Sequence, residues 1–305
     1  MRATVLSRYG GPERLTVAEL PRPVPGSGQI LVRVAASAVN PVDIEVRSGR
    51  AAARIGHGFP MVLGWDLAGT VAQCGADAHR FATGDRVVAM SAQTATGIGT
   101  HAEYVALDER LAACAPRTGD LRRAAALPLA GLTADQALEL LDPAPGDTLL
   151  VTGAVGAVGG FAVQLAAARG LTVQALVRPG DEEAARALGA RAVFTDRAAV
   201  PAASADCLFD TAGDPPALAA VRDGGRAVSV VPTRPLLAER GIDVRMSFAE
   251  QDGDRLTRLS RLVDDGVLTL RVAEVFSLAT VGEAHRLLAA GGTRGKLLID
   301  PRLGN

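Results

Sequence analysis

The sequence predicts an α/β protein made of a β-rich domain and an inserted domain with a doubly wound sheet. Three observations carry that expectation. Residues 147–166 read as a strand, a glycine turn and a helix in direct succession. The first 120 residues are short apolar runs cut apart by Gly and Pro. From about Leu121, helical and strand patterns alternate until six strands have passed, the number a doubly wound sheet takes.

In the first part, strands are expected at Ala3–Leu6, Leu15–Val17, Gln29–Val34, Leu67–Ala72 and Asp85–Ala89. Each is apolar or β-branched, and Gly10-Gly-Pro12 and Pro21–Gly26 punctuate them. A helix is expected at Ala134–Leu141. The six strands of the second part fall at Leu149–Val151, Leu171–Val177, Arg191–Phe194, Ala205–Asp210, Gly225–Val231 and Ile242–Phe248, with a helix at Asp181–Leu188. The tail reads as a helix at Asp254–Asp264, a strand at Val272–Phe276, a helix at Val281–Ala290 and a strand at Lys296–Asp300. It is expected to return to the first domain, so that 1–120 with 251–305 form one domain and 121–250 the other.

The glycine turn carries the chemistry. Leu149, Leu150 and Val151 run without a polar break, as a parallel strand covered on both faces does. Gly153, Gly156 and Gly159 follow at GxxGxxG spacing, and Phe161, Leu165 and Ala168 give the next segment a helical stripe. Between strand and helix, such glycines allow a tight turn, approach of a pyrophosphate to the backbone, and close helix–strand packing. The helix start adds N–H groups and a positive dipole end. Gly153, Ala154, Gly156, Ala157 and Val158 are therefore expected to hold a dinucleotide; a glycine-rich tight connection is the alternative. About 20 residues beyond the glycines, an NAD site places an acidic residue on the ribose. This chain has Arg178 there, which suits a 2′-phosphate and points to NADP(H); beside Pro179-Gly180 it also fits a solvated turn.

Composition excludes other classes. Hydrophobic residues are 48% and aromatics 3%, so the core is built from Ala, Val and Leu. A net charge of −1 without like-charge blocks argues against nucleic-acid and membrane-surface partners. No run approaches the roughly 18 apolar residues of a membrane span, and the first residues lack the features of a signal peptide. Cys74, Cys114 and Cys207 are scattered, as thiols of a reducing cytoplasm are.

Beyond the glycine turn, several stretches together resemble the medium-chain dehydrogenase/reductase superfamily, and within it the zinc-independent quinone oxidoreductases related to zeta-crystallin. They are 39–49, 63–71, 81–88, 101–106, 127–134, 209–213, 224–230 and 295–299, in the family's order over nearly the whole chain. The resemblance implies a GroES-like catalytic domain joined to a Rossmann NADP-binding domain. Alcohol dehydrogenases of the superfamily supply a zinc-binding Cys where this chain has Asn40, and His-Glu where it has Trp65-Asp66. Neither Asn40 nor Trp65 is a usable ligand, and His57, His79, His101 and His285 have no metal-ligand spacing, so no native metal is expected.

The resemblance further implies hydride transfer from NADPH to a quinone or to the β-carbon of an α,β-unsaturated carbonyl, with donors stabilising the developing oxyanion. Asn40, Asp43 and Arg47 match the segment facing nicotinamide and substrate: Asn40 as an amide donor, Arg47 as a fixed cation, Asp43 orienting either. A structural Asp43–Arg47 ion pair at helical spacing is the alternative. Glu45 stands where close relatives often carry a Tyr. Thr133 matches a position near the nicotinamide, or else caps the helix that follows. Thr211, Val231 and Phe248 end strands on the ligand side of the sheet. Lys296 reaches the cofactor phosphates or is a solvated strand-edge lysine, and Phe194–Arg197 lies ambiguously where relatives contact adenosine. Similar proteins are commonly homodimers. An enoyl-thioester reductase and a non-catalytic NADPH-binding regulator are the competing functions.

Overall fold

The computed structural model describes residues 1–304, which form two compact units. The first holds Met1–Leu129, Gln251–Asp265 and the segment from Leu270 onward; the second holds Ala130–Glu250 and Gly266–Thr269.

The first stretch contains β1 (Arg2–Leu6), β2 (Leu15–Glu19), β3 (Gln29–Ala38), α1 (Pro41–Ser48), β4 (Met61–Val62), β5 (Asp66–Cys74), β6 (Arg86–Met90), α2 (Gln93–Thr96), β7 (Tyr104–Asp108) and β8 (Ala112–Cys114). The helix α3 (Pro128–Leu141) follows. It starts at Pro128, well before the expected Ala134, because proline is pre-organised for a first helical position and the Asp66 carboxylate accepts the Leu129 N–H at 2.5 Å. The first unit runs past the break expected near residue 120. A 3₁₀ turn at Leu121–Ala126 buries Ala124, Ala125 and Ala126 against β3 and β5.

The second unit carries β9 (Thr148–Thr152), α4 (Ala157–Ala168), β10 (Thr172–Leu176), α5 (Glu182–Ala187), β11 (Ala192–Phe194), β12 (Ala205–Asp210), β13 (Val221–Ser229) and β14 (Asp243–Met246). Its six strands are parallel, in the order β11-β10-β9-β12-β13-β14. That is the doubly wound order, reversing direction between β9 and β12. Leu150, Leu208, Leu218, Val221 and Ile242 build the core of one face. β13 stops at Ser229 and β14 at Met246, short of the expected Val231 and Phe248.

The chain then adds α6 (Gly253–Asp264), β15 (Val272–Ser277), α7 (Val281–Ala290) and β16 (Lys296–Asp300). β16 enters the main sheet of the first unit between β15 and β3, with Leu298 opposite Ala38. The sheet continues through β5, β6 and β8, with β7 also paired to β3. Its inner face is Ile30, Val32, Val34, Leu67, Val71, Val87, Val105 and Leu107, a β-branched core with little aromatic content. Gly266–Thr269 joins the second unit, where the Thr269 N–H donates to Gln164 Oε1 at 2.8 Å.

α6 opens on Asp252, whose carboxylate accepts the Arg255 N–H at 2.7 Å. Asp252→Ala should cost about 0.5–2 kcal/mol, read as a lower midpoint in thermal unfolding; an unchanged midpoint would contradict the cap.

Candidate functional site

In the second unit, β9 ends at Thr152 and the chain turns at Gly153, whose φ of +59° lies in the left-handed region. A Cβ there would stand 2.9 Å from Thr211 Oγ1. The Gly156 N–H donates to the Gly153 carbonyl at 2.8 Å, and Gly156 is the N-cap of α4, with no side-chain cap. At Gly159 a Cβ would come within 2.2 Å of the Gly153 carbonyl oxygen, so the first turn of α4 lies directly on the loop that precedes it. This is a cradle that side chains would fill. A helix opening this way presents N–H groups and the positive end of its dipole. The residues present fit a dinucleotide pyrophosphate.

The neighbouring strand ends are tied by Asp210, which is fully buried. It accepts from Thr152 Oγ1 at 2.6 Å, from Ser229 Oγ at 3.1 Å and from the Asp214 N–H at 3.1 Å. Thr211 donates its N–H to Thr152 Oγ1 at 3.0 Å and its hydroxyl to the Thr152 carbonyl at 2.7 Å. Thr211 thus holds β9 and β12 in register where their carboxyl ends meet. Ala154, Ala157 and Val158 sit in the turn and the first turn of α4. Arg178 is exposed just past β10, Val231 is half-buried past β13, and Phe248 is 61% exposed past β14. All follow carboxyl ends of strands, where such sheets bind ligands. Thr133 is buried in mid-α3, which removes the N-cap alternative.

In the first unit the predicted residues meet in a different arrangement. Asn40, Asp43, Asp66 and Lys296 are 3%, 1%, 0% and 4% exposed. The Asn40 N–H donates to Asp43 Oδ2 at 2.8 Å, part of a capping box that starts α1. The Gly64 N–H donates to Asp43 Oδ1 at 2.9 Å. The Asn40 side-chain amide donates to Asp66 Oδ2 at 2.8 Å and to the Ala38 carbonyl at 3.2 Å. Lys296 Nζ donates to Asp66 Oδ2 at 2.9 Å and to Asn40 Oδ1.

Three expectations are corrected by these contacts. Both amide hydrogens of Asn40 are spent inside the protein, so Asn40 is not an open donor for a substrate oxygen. Lys296 is neither on cofactor phosphates nor at a solvated sheet edge; it is an internal counter-ion on a strand paired on both sides. Asp43 and Arg47 form no ion pair, because Asp43 takes two backbone N–H groups while Arg47 donates to the Gly10 carbonyl at 3.1 Å. Glu45 pairs with Arg50 through two bonds of 2.8 Å, which holds its carboxyl below the usual range. Sequence reasoning missed Asp66 and Asp210 as hubs. For Asp210 a signal existed, an acid ending the apolar run Cys207–Phe209.

Burial raises the Asp43 carboxyl to about 7; its two backbone donors and the Lys296 ammonium offset this only in part. Burial likewise lowers His101 and His285 to about 3. Their rings lie 6.5 Å apart, and His101 Nδ1 is 2.8 Å from Ser37 Oγ.

Comparison with known proteins adds to this geometry. Residues 26–117 match the alcohol dehydrogenase GroES-like domain and residues 188–299 the zinc-binding dehydrogenase domain. The structure of the quinone oxidoreductase from Coxiella burnetii is 27% identical, with a TM-score of 0.92 and 99% of each chain covered. An alcohol dehydrogenase superfamily protein from Novosphingobium aromaticivorans is 31% identical, with a TM-score of 0.87, covering 98% of this chain and 99% of that one. The chloroplastic NADPH-dependent alkenal/one oxidoreductase of Arabidopsis thaliana is 29% identical over 314 residues, 99% of this chain and 80% of the relative.

Two outcomes follow from the site. Gly159→Ala should destabilise the second unit by about 1–3 kcal/mol, the usual range for overpacking, and weaken dinucleotide binding; unchanged unfolding and binding would contradict the close approach. Stability should also depend on pH. Between pH 3 and 6.5 the unfolded chain holds more protons on His101 and His285, so stability rises with pH. Between about 4 and 7 the folded chain holds the extra proton on Asp43, so that contribution falls with pH. Two imidazoles outweigh one carboxyl until about pH 7, where the opposed contributions cancel. Chemical denaturation across pH should show stability rising from about 4 and levelling near 7, and Asp43→Asn should make the rise between about 5 and 6 roughly twice as steep; an unchanged slope in the variant would contradict the assignment.

Proposed function

Because this chain belongs to the medium-chain dehydrogenase/reductase superfamily, we propose that it is an NADPH-dependent oxidoreductase that reduces a quinone or an α,β-unsaturated carbonyl without a catalytic zinc. The observation that carries this reading is the glycine turn packed on the start of α4. When bound, NADPH supplies the hydride. Gly153, Ala154, Gly156, Ala157 and Val158 offer backbone to its pyrophosphate, and Arg178, exposed past β10, offers a guanidinium to the 2′-phosphate. Thr133, Thr211, Val231 and Phe248 complete the cofactor-side residues, while Lys296 is withdrawn from them. Quinone and alkenal/one acceptors are supported by the names of the Coxiella and Arabidopsis relatives.

Zinc does not suit the residues present. The Asp66 carboxylate and the Asn40 amide oxygen already share the Lys296 ammonium, and an amide oxygen beside a neutralised carboxylate is a poor donor set for zinc. A cytoplasmic homodimer is part of the proposal; Cys74, Cys114 and Cys207, none in a disulfide, suit a reducing compartment. No described helix is long and apolar enough to cross a membrane. One observation favours a second reading, an NADPH-binding regulator: Asn40 has no amide hydrogen to spare and Glu45 is tied to Arg50.

The test follows NADPH absorbance in the presence of quinones, enones and an enoyl-thioester, with and without chelator. The expected outcome is turnover with quinones or enones that chelator leaves unchanged. Chelator-sensitive turnover contradicts the zinc-free reading, and tight NADPH binding without turnover selects the regulator. Arg178→Asp should raise KM for NADPH roughly tenfold, the weight of one charge-assisted contact, with little change for NADH; equal changes for both would remove the role of Arg178.

A further inference from the structure

Asn40, Asp66 and Lys296 come from three distant parts of the chain and meet in the interior of the first unit. Asp66 begins β5, Asn40 caps α1 and Lys296 begins β16. The Asp66 carboxylate divides its oxygens: Oδ1 takes the Leu129 N–H at the start of α3, and Oδ2 takes both the Asn40 amide and the Lys296 ammonium. A buried carboxylate needs a cation or a dense set of donors. Oxygen ligands of this kind, an aspartate and an amide carbonyl, are those that hard metal ions take.

We propose that Lys296 is a positioning residue whose buried ammonium supplies, from the chain itself, the positive charge that a bound metal ion would otherwise bring to Asp66 and Asn40. The ammonium fixes the Asn40 amide by drawing on its oxygen while Asp66 draws on its nitrogen. By balancing the charge of Asp66 it holds that carboxylate in place as the acceptor for the first turn of α3. It also ties the returning strand β16 to residues more than 200 positions earlier, 256 for Asn40 and 230 for Asp66. The inference concerns one unit and needs no cofactor, so it stands or falls separately from the redox reading.

The chain provides its own reporter: its single tryptophan is Trp65, half-buried and adjacent to Asp66. Added Mg²⁺ should leave Trp65 fluorescence and the unfolding midpoint of the parent protein unchanged, because the cation position is filled. Lys296→Ala should lower the midpoint and shift Trp65 fluorescence, and both should recover when methylammonium or Mg²⁺ is added. The pair Asp66→Asn with Lys296→Met removes both charges and should unfold above Lys296→Ala, since a lone buried charge costs more than none. A parent protein that Mg²⁺ stabilises overturns the inference. So does a Lys296→Ala variant that unfolds where the parent does, one that folds but ignores both cations, or a doubly neutral pair less stable than the single variant. Should Lys296→Ala fail to fold, the doubly neutral pair decides: folding supports the inference and failure overturns it.

Discussion

The second unit depends on the close approach of α4 to the loop that precedes it. With a Cβ at Gly159 only 2.2 Å from the Gly153 carbonyl, any side chain there lifts the helix off the turn. The approach is what aims the start of α4 at the carboxyl end of β9. β9 lies beside both β10 and β12, at the reversal of strand order, where sheets of this kind bind ligands. Asp210 and Thr152 lock that reversal by bonding across β9, β12 and β13. Loop, helix and strand ends form one connected cradle, into which the proposed pyrophosphate fits.

The first unit is organised by charge rather than by glycine. Many ion pairs of this protein, such as Arg245–Asp243 with both side chains about half exposed, are worth roughly 0–1 kcal/mol. The Lys296–Asp66 pair differs in kind, at 4% and 0% exposure. Its value lies in what it fixes, the Asn40 amide and the first turn of α3, since burying both charges offsets much of their attraction.

How far the sequence could be read follows from the range of each interaction. The turn from Leu149 to Ala168 was legible because its signal is local, apolar runs and glycines in sequence. So were the six strands of the second unit, though β13 and β14 end a little early, β14 being an edge strand paired on one side only. The start of α3 was misplaced because Thr133 looked like a cap while Pro128 and a distant Asp66 set the true beginning. The spacing of Asp43 and Arg47 suggested a helical pair, yet two backbone N–H groups compete better for the carboxylate. Lys296 was least legible. Nothing near it in sequence announces a partner 230 or 256 positions away, and a lysine opening a strand ordinarily reaches solvent.

We propose above all that the loop after β9 holds a phosphorylated pyridine dinucleotide against the start of α4. Calorimetric titration of the purified protein with NADPH and with NADH tests it most directly. Saturable one-to-one binding is expected, tighter for NADPH, and lost when Gly159 is replaced by valine in a variant that still folds. Heat indistinguishable from dilution for both coenzymes would contradict it.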